Sequence, residues 1–190
     1  TCNPLNIKPE SIRIEMESLK TTIEFKQSNR SADFIDGEDD KSERYIRQGQ
    51  LLHHLFAMIH TPKDIPSAIT RLRMEGIIES EAHERQVMKQ VEWALGHPKV
   101  KEWFSGEWTL YNECAILYRE NGELQTRRPD RVMMKDGQVI VLDFKFGKPY
   151  PEYNHQVREY MNLLRSMGYT HISGYLWYVF NNELEEIKRQ

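Results

Sequence analysis

The chain has 190 residues, of which 39% are hydrophobic and 29% are charged, and its net charge is −3. This composition is typical of a single globular domain that is long enough to bury a core. The negative net charge argues against a protein that coats nucleic acid by bulk positive charge. No apolar run approaches 18 residues and no basic-then-apolar leader opens the chain, so we expect a cytoplasmic protein without a membrane partner.

The chain contains two cysteines, Cys2 and Cys114. They are too few for a disulfide framework and too few for the four thiolates of an iron–sulfur site. We therefore expect two ordinary thiols in a reducing compartment and no iron–sulfur cluster.

The first half of the chain reads as a lead-in followed by helices. Residues 1–41 are poorly periodic, and short strands are conceivable only at 11–19 and 22–26. From about residue 42 the apolar residues recur at helical spacing, which predicts helices over 42–60, 64–77 and 79–95. We interpret residues 1–41 as a lead-in that packs on one domain formed by 42–190.

The second half of the chain reads as strands with one long helix. Strand-like runs cover 107–118, 124–134 and 138–146, and they are separated by Asn121-Gly122 and Asp136-Gly137. These dipeptides predict two-residue hairpin loops, because both central residues of a type I′ turn need positive φ. A helix over 151–167, a strand over 172–180 and a short final segment follow. This order predicts an α/β or α+β domain in which helices cover a sheet.

The two hairpin loops fix a register that aligns carboxylates. The second loop places Asp130 opposite Asp143, and the first places Glu113 opposite Asp130. Three carboxylates would then form one row across three strands, with neighbouring Cβ atoms about 5 Å apart. Lys145, two residues beyond Asp143, would lie on the same face.

A row of like charges between apolar strands is destabilising unless a counter-charge is present. Mg²⁺ prefers carboxylate oxygens and keeps water ligands for chemistry, and the Lys145 ammonium supplies a second positive charge. The metal would polarise a phosphoryl oxygen while Lys145 orients a water or stabilises developing charge. The sequence therefore predicts phosphodiester hydrolysis. The alternative is an ordinary solvated sheet face with scattered charges.

Four ordered motifs resemble the RecB-like branch of the PD-(D/E)XK nucleases, the nuclease domains at the C-termini of RecBCD- and AddAB-type bacterial helicase–nucleases. The signature is matched by Pro129-Asp130 and by Asp143-Phe144-Lys145 at the end of an apolar strand. The branch also has a Gly-x-x-x-His motif, matched by Gly49 and His53, and a Gln-x-x-x-Tyr motif, matched by Gln156 and Tyr160. The motifs cover roughly residues 45–165.

The resemblance implies a restriction-endonuclease-like fold, a mixed central sheet flanked by helices. It implies Mg²⁺ or Mn²⁺ bound by His53, Asp130, Asp143 and the backbone carbonyl of Phe144, with Lys145 as the catalytic lysine. Glu113 joins the metal ligands only through the hairpin register. Gln156 and Tyr160 would support the site or contact DNA.

Several of these residues have plainer alternatives. A histidine beside an apolar helix stripe is more often packed than a ligand, and Tyr160 falls on the core stripe of its helix. Four basic residues flank the carboxylates and could neutralise phosphates: Arg127, Arg128, Arg131 and Lys148. Strand-end charges are usually only solvated. The aromatic residues Tyr175, Trp177 and Tyr178 fit a core better than a base-stacking surface.

The leading interpretation is a metal-dependent DNA nuclease, the nuclease module of a helicase–nuclease that processes DNA ends in recombinational repair. Its expected partners are DNA, single-stranded as it leaves a motor, the helicase motor of the same parent chain and a second helicase–nuclease subunit. No Gly-x-x-x-x-Gly-Lys loop occurs, so we expect no bound nucleotide. The alternatives are a stand-alone exonuclease or restriction-type endonuclease, a catalytically silent scaffold that binds DNA or a partner, and an unrelated acidic metal-binding or structural module.

Overall fold

The structure, a computed structural model, describes residues 40–188, with side chains described from residue 43. Most of the predicted lead-in, including the conceivable strands at 11–19 and 22–26, lies outside the described residues. The described elements, in chain order, are α1 (Asp40–Met58), a 3₁₀ turn (Pro62–Asp64), α2 (Ile65–Met74), α3 (Glu81–Leu95), α4 (Pro98–Trp103), β1 (Thr109–Asn112), β2 (Ile116–Glu120), β3 (Glu123–Arg127), β4 (Arg131–Lys135), β5 (Gln138–Lys145), α5 (Pro151–Ser166), β6 (His171–Tyr178) and β7 (Glu183–Ile187).

The main sheet has five strands in the order β1-β4-β5-β6-β7. Strands β5 and β6 are parallel and are joined through α5, whereas the other three pairings are antiparallel. A parallel pair needs such a crossover, because the chain must return to the same end of the sheet. The mixed α+β architecture, a mixed sheet flanked by helices, confirms the coarse prediction of fold class. None of the described helices combines the length and the apolar character needed to cross a membrane.

Helices cover both faces of the main sheet. One apolar cluster joins α1–α4 to alternate strand residues that include Met133, Phe144 and Trp177. The other joins α5 to the intervening strand residues, among them Val141 and Leu176. Successive side chains of a strand point to opposite faces, so β5 is buried along almost its whole length. The odd-numbered residues of β5, which include Asp143 and Lys145, therefore share the α5 face.

The predicted helices over 42–60, 64–77, 79–95 and 151–167 are confirmed, with bounds that differ by a few residues. Pro151 occupies the first turn of α5, where a missing N–H costs nothing. Gly168, at a φ of 100°, follows the end of that helix. Helix α4 was missed, because its six residues are too few to show a helical period.

The predicted three-strand meander is interrupted in the middle of its first hairpin. The run 107–118 divides into β1 and β2, and the run 124–134 divides into β3 and β4. The chain breaks pairing where Glu113 adopts a φ of 48° and where Pro129 has no N–H to donate. The register of the hairpin nevertheless continues across the break, from Ile116 opposite Arg127 to Asn112 opposite Arg131. Strands β2 and β3 thus form a separate ribbon whose base meets the main sheet.

Gly49 allows α1 to approach the loop after β5. A Cβ built at Gly49 would lie 2.9 Å from the Cβ of Phe146, closer than side chains pack. Alanine is about 1 kcal/mol more favourable than glycine inside a helix. Here the cost of the clash with Phe146 is expected to exceed that gain. We expect Gly49→Ala to lower the free energy of unfolding by about 1–3 kcal/mol.

Urea denaturation followed by circular dichroism would measure this change. Gln50→Ala, at an exposed position of the same helix, is the control and should stay within about 0.5 kcal/mol of wild type. A Gly49→Ala variant as stable as Gln50→Ala would show that Phe146 moves aside without cost.

Candidate active site

The two predicted aspartates and the lysine are buried together at the ends of β4 and β5. Asp143 is 0% exposed, Lys145 1% and Asp130 7%. The Lys145 Nζ lies 2.5 Å from Asp143 Oδ2. Asp130 directly precedes β4, and its Oδ2 accepts a hydrogen bond of 2.7 Å from the backbone N–H of Phe144. Burial of three ionisable groups at one point is rare in a protein core unless they balance one another.

His53 reaches this group from α1. Its Nε2 lies 3.0 Å from Asp130 Oδ1, and its Nδ1 lies 3.6 Å from Glu113 Oε1. The ring packs edge-on against Phe144, with centroids 5.8 Å apart. The neighbouring His54 is turned elsewhere, 3.9 Å from Glu75. The structure therefore brings His53 and not His54 to the carboxylates.

Glu113 forms the solvent-facing rim of the group. Its backbone N–H donates to the Asp130 carbonyl at 2.9 Å, the contact that the hairpin register predicts. The Glu113 side chain is 38% exposed and faces His53. The backbone register deduced from the two turns is therefore present at Glu113 and Asp130, and the imidazole of His53 lies between the side chains of these two residues.

The two buried carboxylates give this group an excess of negative charge where solvent does not reach. Burial raises the pKa of Asp143 to about 6, and the negative charge of Asp130 adds to the rise, against the opposing effects of Lys145 and His53. Burial alone would lower the pKa of His53, but the hydrogen bond and charge of Asp130 raise it overall. Asp143 Oδ1 accepts no hydrogen bond from the described residues.

A chain of directed hydrogen bonds holds Lys145 in place. The ammonium donates to Gln156 Oε1 at 3.3 Å, and Gln156 Nε2 donates to the Tyr160 hydroxyl at 2.8 Å. That hydroxyl donates in turn to the carbonyl of Arg128 at 3.4 Å. Lys145 also lies 4.1 Å from the centroid of the Tyr153 ring. Tyr160 is 2% exposed, so it supports the lysine from within and presents no surface to DNA.

The four basic residues considered as phosphate contacts differ in exposure. The guanidinium of Arg131 lies inside the protein at 0% exposure, and this burial argues against the phosphate contact considered for it. Arg127 pairs with Glu159 at 2.9 Å. Arg128, two residues before Asp130, and Lys148, three residues after Lys145, are exposed and remain candidates. Tyr175, Trp177 and Tyr178 are buried and belong to the core.

Two participants were not predicted from the sequence. Tyr153 covers the Lys145 ammonium, and its position three residues before Gln156 on one helix was a usable signal. Asn112 bridges Arg131 and α1, and nothing in its sequence context marks it. The backbone carbonyl of Phe144 stays a predicted ligand.

These residues suit a hard divalent cation by chemistry. Over residues 40–188, no three His, Cys, Asp or Glu side chains converge as ligands of one ion; the donors are paired with each other instead. Yet two buried carboxylates side by side, one with an oxygen that accepts no hydrogen bond from the described residues, hold charge that a dication would offset. The His53 imidazole lies next to these carboxylates, 3.0 Å from Asp130 Oδ1, and the rim carboxylate of Glu113 lies 3.6 Å from its other ring nitrogen.

The chain matches no protein-family model, and no curated protein is significantly similar to it.

Proposed function

We propose that the protein is a metal-dependent DNA nuclease built on a restriction-endonuclease-like sheet. One observation carries the proposal: Asp143 and Lys145 are completely buried in contact at the end of a core strand, beside Asp130 and His53. A structural ion pair needs no second carboxylate and no imidazole. A phosphodiesterase site has a use for all four, because it must hold a cation and a water against a phosphate.

Each residue of the group has a role in this reaction. Asp130, Asp143 and His53, with the Phe144 carbonyl and Glu113 at the rim, would hold Mg²⁺ or Mn²⁺. The bound metal supplies polarisation of a phosphoryl oxygen and a water of lowered pKa. Lys145 would donate a hydrogen bond to the attacking water or to the phosphoryl oxygen that becomes negative, and the Gln156–Tyr160 chain fixes the direction in which its ammonium points.

The substrate we propose is DNA, and single-stranded DNA in particular. Arg128 and Lys148 are exposed near Asp130 and Lys145 in the sequence and would neutralise backbone phosphates. We further propose that the domain acts as the nuclease module of a helicase–nuclease, which would supply unpaired DNA from its motor and a partner subunit. The ordered motifs around Gly49, Asp130, Lys145 and Gln156 support this assignment.

Cleavage of labelled single- and double-stranded DNA in Mg²⁺, Mn²⁺ or EDTA tests the proposal. His53→Ala should weaken Mn²⁺ binding about tenfold or more and slow cleavage at least as much, because it removes a proposed ligand and the hydrogen bond to Asp130 Oδ1. His54→Ala is the matched control, and both quantities should stay within about twofold of wild type.

Product lengths would separate exonuclease from endonuclease action. If the folded wild-type protein neither binds Mn²⁺ nor cuts DNA, the nuclease proposal fails for this domain, and a silent scaffold becomes the better account. Equal effects of the two histidine substitutions would remove His53 from the site.

A further inference from the structure

Arg131 is a completely buried cation on the face of the sheet opposite to Asp130. Its Nε donates to Asn112 Oδ1 at 2.9 Å, and its Nη2 donates to the carbonyl of Ile59 at 2.5 Å. The guanidinium lies 4.0 Å from the centroid of the Phe104 ring. Burial lowers the pKa of Arg131 to about 9, and no neighbouring acid offsets the shift. Burying a charge of this kind costs free energy, so the groups that receive its hydrogen bonds must offset that cost.

The partner of the guanidinium is the end of a helix. The carbonyls in the last turn of an α-helix lack intrahelical partners and carry the negative end of the helix dipole. Helix α1 has no basic residue in its own last turn. Asn112 donates to the carbonyl of Ala57 at 2.7 Å, and Arg131 donates to Ile59 just beyond the end. The amide, from β1, and the guanidinium, from β4, each satisfy one carbonyl at that end.

Asn112 and Arg131 thus form a clamp on the end of α1. The clamp connects α1, which carries His53, and β4, which follows Asp130. His53 lies less than two turns before the end of α1, and Arg131 directly follows Asp130. The His53 Nε2 and Asp130 Oδ1 meet at 3.0 Å. Among the described residues, no hydrogen bond or ion pair joins the guanidinium to a carboxylate of the site. The contacts of Arg131 with the end of α1 give it a route to the site through the placement of that helix.

We propose that Arg131, with Asn112, is a positioning residue that holds α1 against β4 so that His53 reaches Asp130. The inference rests on the proposed function insofar as His53 is a metal ligand. A single side chain thereby replaces the basic residue that α1 lacks and sets the distance between two ligands carried by different elements.

Arg131→Lys is the informative variant. It keeps the charge but loses the planar fork, so it cannot reproduce the two contacts that Nε and Nη2 make with Asn112 and Ile59. We expect Mn²⁺ affinity to fall about tenfold, and the imidazole resonances of His53 in the metal-free protein to shift. Met133→Ala, at a completely buried position of β4 on the same face, destabilises the core without removing a hydrogen bond to α1. It should leave both readouts unchanged. Asn112→Ala provides a second route to the same clamp if Arg131→Lys fails to fold.

A double-mutant cycle decides how Arg131 acts. If it acts through His53, Arg131→Lys should change Mn²⁺ affinity less than twofold in a His53→Ala background. Equal losses in both backgrounds, or an equal loss in Met133→Ala, would overturn the positioning role. The His53 resonances test that role in the metal-free protein, so a wild type that binds no Mn²⁺ would count against the nuclease proposal alone. Unchanged resonances in both Arg131→Lys and Asn112→Ala would count against the clamp alone.

Discussion

Replacing Lys145 with alanine is expected to reduce DNA cleavage about 10³-fold while Mn²⁺ binding persists. The ammonium is buried at 1% exposure and held by Asp143, Gln156 and the Tyr153 ring. No water can replace so fixed a donor at no cost, and loss of one preorganised donor to a developing negative charge typically costs a factor of this size. In the proposed mechanism Lys145 takes part in the chemistry and is not a metal ligand, so the carboxylates should retain the metal.

Two further variants make the Lys145 result interpretable. Lys145→Met keeps most of the side-chain volume and should lose cleavage equally, which separates loss of charge from loss of packing. Lys89→Ala, at an exposed position of α3, should cut DNA at the wild-type rate. If Lys145→Met retained more than a tenth of wild-type cleavage with Mg²⁺, the ammonium would be a structural counter-charge only.

Replacing Asp143 with asparagine is expected to abolish cleavage and yet to stabilise the metal-free protein at neutral pH. The carboxylate is fully buried beside Asp130, and its pKa is raised to about 6. The folded protein therefore keeps a proton that the unfolded chain releases near pH 4. Stability falls as the pH rises from about 4 to about 7, because the folded state binds more protons than the unfolded state over that range.

Thermal unfolding in EDTA at pH 5 and pH 7.5 measures the effect. The substituted amide cannot ionise, and Lys145 still has Gln156 as an acceptor, so Asp143→Asn should exceed wild type at pH 7.5 and approach it at pH 5. The raised pKa of His53 favours the lower pH in both proteins. Asp136→Asn, in an exposed turn, should cut DNA normally. A lower melting temperature for Asp143→Asn than for wild type at pH 7.5 would mean that Lys145 more than offsets the cost of burying the carboxylate.

Much of the fold was predictable because local signals and hydrophobic periodicity agreed. Asn121-Gly122 and Asp136-Gly137 have positive φ as their hairpins require, and the registers they set are the observed ones. The apolar stripe of α1 and the length of the α5 pattern were sufficient to locate both helices. Contacts between distant segments were beyond such reasoning, since the Asn112 amide meets Ala57 across 55 residues of chain.

The interior position of Arg131 was also predictable from the strand pattern. Strand alternation places adjacent residues on opposite faces, so Arg131 had to point away from Asp130 and toward the helices that cover the other face. Its charge alone suggested a contact with DNA phosphates, whereas its position in the strand indicates a place in the interior. The same alternation correctly placed Asp143 and Lys145 together.

The ribbon of β2 and β3 has a consequence for how the chain tolerates changes in length. Because the ladder continues in register from the ribbon tip to Glu113 and Asp130, matched pairs of residues can be added or removed near Asn121-Gly122 without disturbing the carboxylates. A single residue inserted between Arg127 and Asp130 would shift the strand register by one, so that the side chains of Asp130 and Arg131 would each move to the opposite face of the sheet. Natural or engineered length variants should therefore concentrate at the tip.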